Sequence, residues 1–213
     1  MFEAAVNIES SMRRTNNRKE AIRRRVIEAA LEQFCEHGIE GTCLKKITAV
    51  SGVKHGSLFY YFESKEQIVH EAFIFALKQA FDSWKSAVAE DGSGFGGELM
   101  RYLSISHRNN CAGGCALAAL APEMGRQSEA TRTEIEKGLN QIFQMLIERL
   151  PIQRLQPCRT QAIAIYSLMI GALQLSRAVS STEMSEEILS SGVEAALVVV
   201  DRRIVESKNF KSC

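Results

Sequence analysis

Apolar residues recur along this 213-residue chain at intervals of three and four, the period of a helix face, and no segment alternates as a half-buried strand does. Ile22, Val26, Ala30 and Phe34 repeat every four residues, Asn17 with Glu20 offers a capping box ahead of them, and Gly38 closes the run. After Thr42 and Cys43, the positions Leu44, Ile47 and Val50 predict a short second helix, and Gly52 lets the chain reverse. A third helix starts near Lys54 or His55, buries Leu58, Phe59 and Phe62, and ends before Ser64, where Ser-Lys-Glu-Gln forms a capping box for a fourth. The fourth runs from Lys65 to about Ala89 on Ile68, Ala72, Phe75, Ala76, Phe81 and Trp84, until the glycine-rich stretch 90–97 breaks it. Further helices are predicted over 98–109, 115–125, 128–149, 158–180 and 184–206, punctuated by Gly113 and Gly114, Gly125, Pro151 and Pro157. About nine helices and no strand make an all-α chain.

Two helices joined by a tight turn, the second one short and polar at its start, describe a helix-turn-helix whose second helix enters a DNA major groove. The predicted organisation is therefore an N-terminal three-helix helix-turn-helix DNA-binding domain over 18–64, a C-terminal helical ligand-binding and dimerisation domain over 65–207, and a tail over 208–213. Residues 1–17 read as an N-terminal arm, either disordered or reaching a minor groove through Arg13 and Arg14. At the start of the recognition helix Lys54, His55 and Ser57 are placed to meet bases, and Gly56 permits close approach. Tyr60 and Tyr61 either put hydroxyls on phosphates or serve only as core. Lys45 and Lys46 are either phosphate ligands or solvated. Lys65, with the amides at the start of its helix, is expected to hold a further phosphate.

The net charge of +1 does not by itself suggest a polyanion as partner, but its distribution does. From Arg13 to Lys65 there are 11 Lys and Arg against 6 Glu, so this segment carries +5 and the remainder −4. The positive footprint coincides with the helix-turn-helix, as salt-sensitive phosphate binding requires. The hydrophobic fraction of 46% supports a sizeable core, and no apolar run approaches the roughly 18 residues of a membrane span. Arg13 and Arg14 lack the apolar stretch of a signal peptide, so a cytoplasmic protein with no membrane partner is expected. Six cysteines, at 35, 43, 111, 115, 158 and 213, are too sparse for a disulfide scaffold and should be mostly reduced. Histidines at 37, 55, 70 and 107 show no paired spacing, so no catalytic residue, metal or cofactor is expected. A helical scaffold protein would explain the apolar helices but not the turn and the basic charge.

The run IEGTCLKKITAVSGVKHGSLFYYFESKEQI resembles the DNA-binding signature of TetR-type transcriptional regulators, with the likeness extending from Arg18 to Ile68. Cys43 stands where that family usually has a second hydroxyl, Thr48 replaces the common Ala, Lys54 and His55 replace a Ser-Lys pair, and Phe59 replaces Tyr. The resemblance implies DNA contacts at Thr42, Cys43, Lys45, Lys54, His55, Ser57, Tyr60, Tyr61 and Lys65. It also implies a repressor released from a palindromic operator by a small molecule or by cysteine modification.

The remaining helices then carry sensing and pairing. Cys115 follows two glycines at a predicted helix start, which makes it either a reactive thiolate or a small buried residue. The stretch GGCALAALAPEM resembles TetR-type regulators that answer electrophiles or oxidants through a cysteine, and that resemblance makes Arg177 the matching basic residue. An apolar effector cavity is expected, lined by Phe73, Trp84, Met100, Tyr102, His107, Met124, Phe143 and Tyr166, unless these are plain core. Helices 158–180 and 184–206 are apolar on more than one face, through residues such as Ile163, Leu168, Leu175 and Leu197. Pairing both with their copies gives a four-helix bundle and a homodimer on double-stranded operator DNA.

Overall fold

The computed structural model describes residues 2–87, 94–150 and 158–201, with side chains described from Asn16 to Lys85 and through the two later stretches. Ten α-helices and no strand lie among the described residues. They divide into two compact units, residues 1–75 and 76–213, and the division falls inside a helix rather than at the expected 64/65 boundary.

In the first unit, α1 (Phe2–His37) is longer than its cap at Asn17 suggested. Residues 2–16 contain no glycine or proline, so nothing stops the helix from extending, and the expected disordered arm is instead helical. Gly38 ends α1 with φ +73° and its amide bonds the Phe34 carbonyl at 2.8 Å. Val26, Ala30 and Phe34 are buried as their spacing predicts, and Ile22 is half-buried. Helix α2 (Leu44–Ser51) turns at Gly52, φ +67°, into α3 (His55–Tyr61). The buried face of α2 is Ile47, Thr48 and Ser51, whereas Val50 is 48% exposed. Phe59 is likewise a correction: it is 58% exposed, because α3 turns Leu58 and the following Phe62 inward and leaves residue 59 about 100° away on the open side. Helix α4 (Lys65–Ala87) begins as expected, with Ser64 Oγ accepting from the Gln67 amide at 3.2 Å. The Gln67 side chain returns to the amide of Glu63, 2.7 Å, one residue earlier than a simple capping box.

The second unit contains the remainder of α4 with α5 (Gly94–Tyr102), α6 (Ile105–Asn109), α7 (Ala116–Met124), α8 (Glu129–Arg149), α9 (Arg159–Ala178) and α10 (Thr182–Asp201). The segment expected as one helix over 98–109 is two, broken at Leu103, and Ser104 caps the second by accepting from the His107 amide at 3.1 Å. The glycines at 94–97 belong to the first turn of α5, which Gly94 opens at φ +64°. The expected end of α4 near Ala89, the turn at Pro151 and Pro157, and the last turn of the final helix lie outside the described residues. Helix α9 is the spine, packing against α6, α7, α8 and α10. It packs tightly on α10 at Gly192, where an added Cβ would stand 2.6 Å from Ala172 Cβ. Pro122 sits inside α7 and cannot donate to the Ala118 carbonyl, and the Gln174 side-chain amide of α9 donates there instead.

Candidate nucleic-acid interface and effector cavity

The start of α3 presents a polar face. Lys54 occupies the cap position of α3 in extended conformation, and Lys54, His55, Gly56, Ser57 and Tyr60 are all exposed while Leu58 behind them is buried. Nothing in the protein lies within 4 Å of a Cβ built at Gly56, so the chain's own packing does not demand glycine there. Tyr60 is 73% exposed, carries the Lys19 ammonium 5.4 Å from its ring centre, and meets Tyr61 edge-on at 5.1 Å. Lys45 and Lys46 are exposed on α2, and Lys46 reaches the Gly41 carbonyl at 3.3 Å.

Two expected contacts are committed elsewhere. Thr42 is fully buried, its hydroxyl 2.8 Å from the Gly38 carbonyl and 3.0 Å from that of Gln33, so it braces the end of α1 and does not face outward. The half-buried Lys65 ammonium donates to the Ile39 carbonyl at 2.6 Å and ties the start of α4 to the loop after α1. Cys43 sits at the cap of α2, exposed and without a cap hydrogen bond, as a thiol in a hydroxyl's place should. The neighbouring Lys46 amide nevertheless holds this thiol below its ordinary pKa.

Sequence reasoning missed the residue that locks this face. The Arg23 guanidinium donates to the Tyr61 carbonyl, pairs with Glu71, and lies 4.4 Å over the Phe62 ring. One side chain of α1 thereby fixes the end of α3 and the start of α4. Arg25 does the same for α2, donating to the Ser51 carbonyl at 2.6 Å. Only the high density of arginine at 23–25 marked them in the sequence.

The second unit holds a cavity of about 760 Å³. Trp84, Tyr102, His107 and Cys115 line it, together with Ser83, Arg101 and Asn110. The other expected lining residues are elsewhere: Phe73 is buried in the first unit, Met100 is 58% exposed, and Met124 is not on the wall. Phe143 and Tyr166 meet each other edge-on at 5.9 Å, with Arg159 over Phe143, and neither lines the cavity. Helical spacing put these side chains inward, but only the crossing of helices decides which of them border a space.

His107 organises the cavity wall. The Cys115 amide donates to His107 Nε2 at 2.8 Å, so Nε2 carries no proton, and Nδ1 donates to the Tyr102 carbonyl at 2.6 Å. Burial favours the same neutral ring by lowering the His107 pKa, and the Arg177 cation lowers it further. Gly114 is required beside it, since a Cβ there would lie 2.3 Å from the Asn110 carbonyl oxygen and 2.9 Å from His107 Nε2. Cys115 caps α7 without a side-chain cap bond. Arg177 donates to the His107 carbonyl at 3.1 Å and the Arg108 carbonyl at 3.0 Å, so the two residues paired by resemblance share one neighbourhood.

Residues 26–72 match the family described as bacterial regulatory proteins, tetR family. The HTH-type transcriptional regulator RutR of Escherichia coli K12 is 33% identical over 79 residues, 36% of this chain. The match spans only 35% of RutR's own length. The HTH-type transcriptional repressor NemR of the same strain is 26% identical over 176 residues, covering 75% of this chain and 86% of NemR. The crystal structure of reduced E. coli NemR superposes with a TM-score of 0.67 at 19% identity, over 83% of this chain and 95% of that one. FadR of Bacillus subtilis, crystallised in complex with stearoyl-CoA, superposes at 0.59 with 19% identity, over 83% of this chain and 96% of FadR. Likeness at these identities is one of fold.

Proposed function

From a chain that belongs to the TetR family of bacterial regulatory proteins, we propose a ligand-responsive repressor that grips a palindromic operator as a homodimer and releases it on effector binding or cysteine modification. The observation that carries this reading is the outward face of α3. Lys54, His55 and Ser57 stand exposed at a helix start beside a glycine that no neighbour in the protein requires, the arrangement a major groove needs for close approach. Tyr60 and Lys45 flank it as phosphate ligands, and Cys43 and Tyr61 lie at its edges. Thr42 and Lys65 act behind the face by holding the loop and the start of α4 in place.

The cavity gives the effector its place, with Trp84, Tyr102, His107 and Cys115 as sensing residues and Arg177 behind them. FadR's stearoyl-CoA shows that a protein of this fold binds a small molecule. Helix α4 belongs to the DNA-reading unit at its start and to the cavity unit at its end, so it is the element through which an effector would change the spacing of two readers. The effector must bind the released form more tightly than the DNA-bound form for this to work. Operator DNA, and therefore the cytoplasm, is where the protein acts.

The test is a gel shift with DNA flanking the protein's own gene. Tyr60→Phe and Lys45→Ala should weaken binding to operator and random duplex alike, and Lys45→Ala should reduce the salt slope by about one. Lys54→Ala should narrow the gap between operator and random DNA by roughly tenfold, the scale of one base contact. A protein that binds no fragment at low salt would end this reading.

A further inference from the structure

One ion pair in the second unit ties three helices together. Arg149 of α8 places Nη1 3.4 and 3.3 Å from the two carboxylate oxygens of Glu98 on α5, and its Nη2 donates to the Lys85 carbonyl of α4 at 3.2 Å. Lys85 lies in the last described turn of α4, the helix whose first residues belong to the reading unit. Drawing Arg149 away from Glu98 therefore also takes a hold off that end of α4.

The same pair stands between two spaces. Glu98 borders the effector cavity, whereas Arg149 borders a separate groove with Phe81, Asn140 and Glu148. The side chains are 7% and 14% exposed, so each charge is answered where water is scarce. Taking one partner from a buried pair strands the other charge, which is costly. A neutral or anionic ligand in the cavity cannot displace Arg149 for that reason, but a cation can, because it restores the charge it removes. The displaced guanidinium has a destination, since its groove carries the exposed Glu148 carboxylate. The Arg149 bonds to Glu98 are longer than the roughly 2.7–2.9 Å of a tight charge-assisted bond, which leaves room for a better donor. Trp84 and Tyr102, stacked at 5.9 Å on the same wall, give a cation aromatic neighbours. Arg101 also borders the cavity, but it is exposed, and water screens its charge.

We infer that the effector is a small organic cation with N–H donors, and that it acts by taking Glu98 from Arg149 and so freeing the end of α4. The closed clamp belongs to the DNA-gripping form. The cation binds the form that Arg149 has left, which is the differential affinity that release requires. Glu98 receives the ligand, and Arg149 is a positioning residue for α4. This inference rests on the proposed ligand-responsive role, and it names the charge of the ligand and the residue that meets it.

Trp84 is the only tryptophan of the chain, lines the cavity and precedes Lys85, so its emission reports on this site. The experiment titrates full-length protein with benzamidinium and with benzoate, planar probes of matching shape and opposite charge. Benzamidinium should shift Trp84 emission saturably and weaken operator binding about fivefold or more, the lower end of ordinary coupling between sites. Benzoate should do neither, and Glu98→Gln should abolish the benzamidinium response. Without ligand, Glu98→Gln and Arg149→Met should each weaken operator binding by a similar factor, and the double variant should be no weaker than either, because one contact is lost once. The double variant leaves no charge stranded, so it decides the point if Arg149→Met alone does not fold. Affinity for random duplex, which demands no fixed spacing of readers, should keep its wild-type value in every folded variant; a merely loosened protein would lose both. Equal responses to the two probes, no response to benzamidinium, or additive losses in the double variant would overturn the inference. A protein that grips its operator yet fails these tests leaves the regulator reading standing, and one that binds no DNA ends that reading while the Trp84 titration still decides this one.

Discussion

The Thr42 hydroxyl is committed to the chain's own backbone, although the residue lies in the segment where a DNA contact was expected. Removing it in Thr42→Val leaves buried carbonyls short of a donor and should lower stability by about 1–2 kcal/mol. Binding to operator should change only as far as the unit loosens, and a melting curve beside an anisotropy titration at low temperature separates the two effects. His107 sets a second expectation at this scale. Its folded pKa lies below the ordinary imidazole value of about 6.5, so the unfolded chain binds its proton first. The stability from the neutral ring is therefore complete above that value and is lost as pH falls from it toward the lowered folded value. Melting temperature should drop more steeply between pH 7 and 5 for wild type than for His107→Asn, which can still donate to Tyr102 but does not titrate. A parallel decline in both proteins would refute this role for His107.

Among elements, α7 and α9 show a dependence that no local pattern contains. Pro122 removes one helical donor and Gln174, from another helix, replaces it at the fully buried Ala118 carbonyl. Gln174→Ala should cost about 1–3 kcal/mol, and most of that loss should vanish in the Pro122→Ala background, where the helix supplies its own amide. Denaturant melts of the four proteins in this cycle measure the coupling directly; additive effects would mean that the contact contributes nothing. The elements themselves were largely legible beforehand, since Gly38 and Gly52 adopt positive φ where the turns were placed and α3 starts at His55. Two of the errors fell on faces of short helices. A helix of seven or eight residues offers too few positions to fix its orientation, so Val50 and Phe59 were placed inward and are found outward.

For the whole molecule, the proposed pairing of copies makes a prediction of its own. Leu175 and Leu197 remain 60% and 37% exposed on α9 and α10, and Ile163 and Met184 add to that apolar surface. Burying it in a homodimer bundle would satisfy it. Leu175→Glu with Leu197→Glu should shift sedimentation toward monomer and weaken operator binding by at least about tenfold, since a single reader loses the second half-site. Among the described residues no helix is long and apolar enough to cross a membrane. By itself the sequence determined the helical class, the turn at Gly52 and the polar start of α3, because periodicity, glycine and capping act over a few neighbouring residues. Only the tertiary structure decided that Thr42 faces inward, that Arg23 locks the reading face, and that His107 joins the Tyr102 carbonyl to the Cys115 amide. Those facts depend on groups from separate elements, and no spacing along the chain encodes how such elements pack.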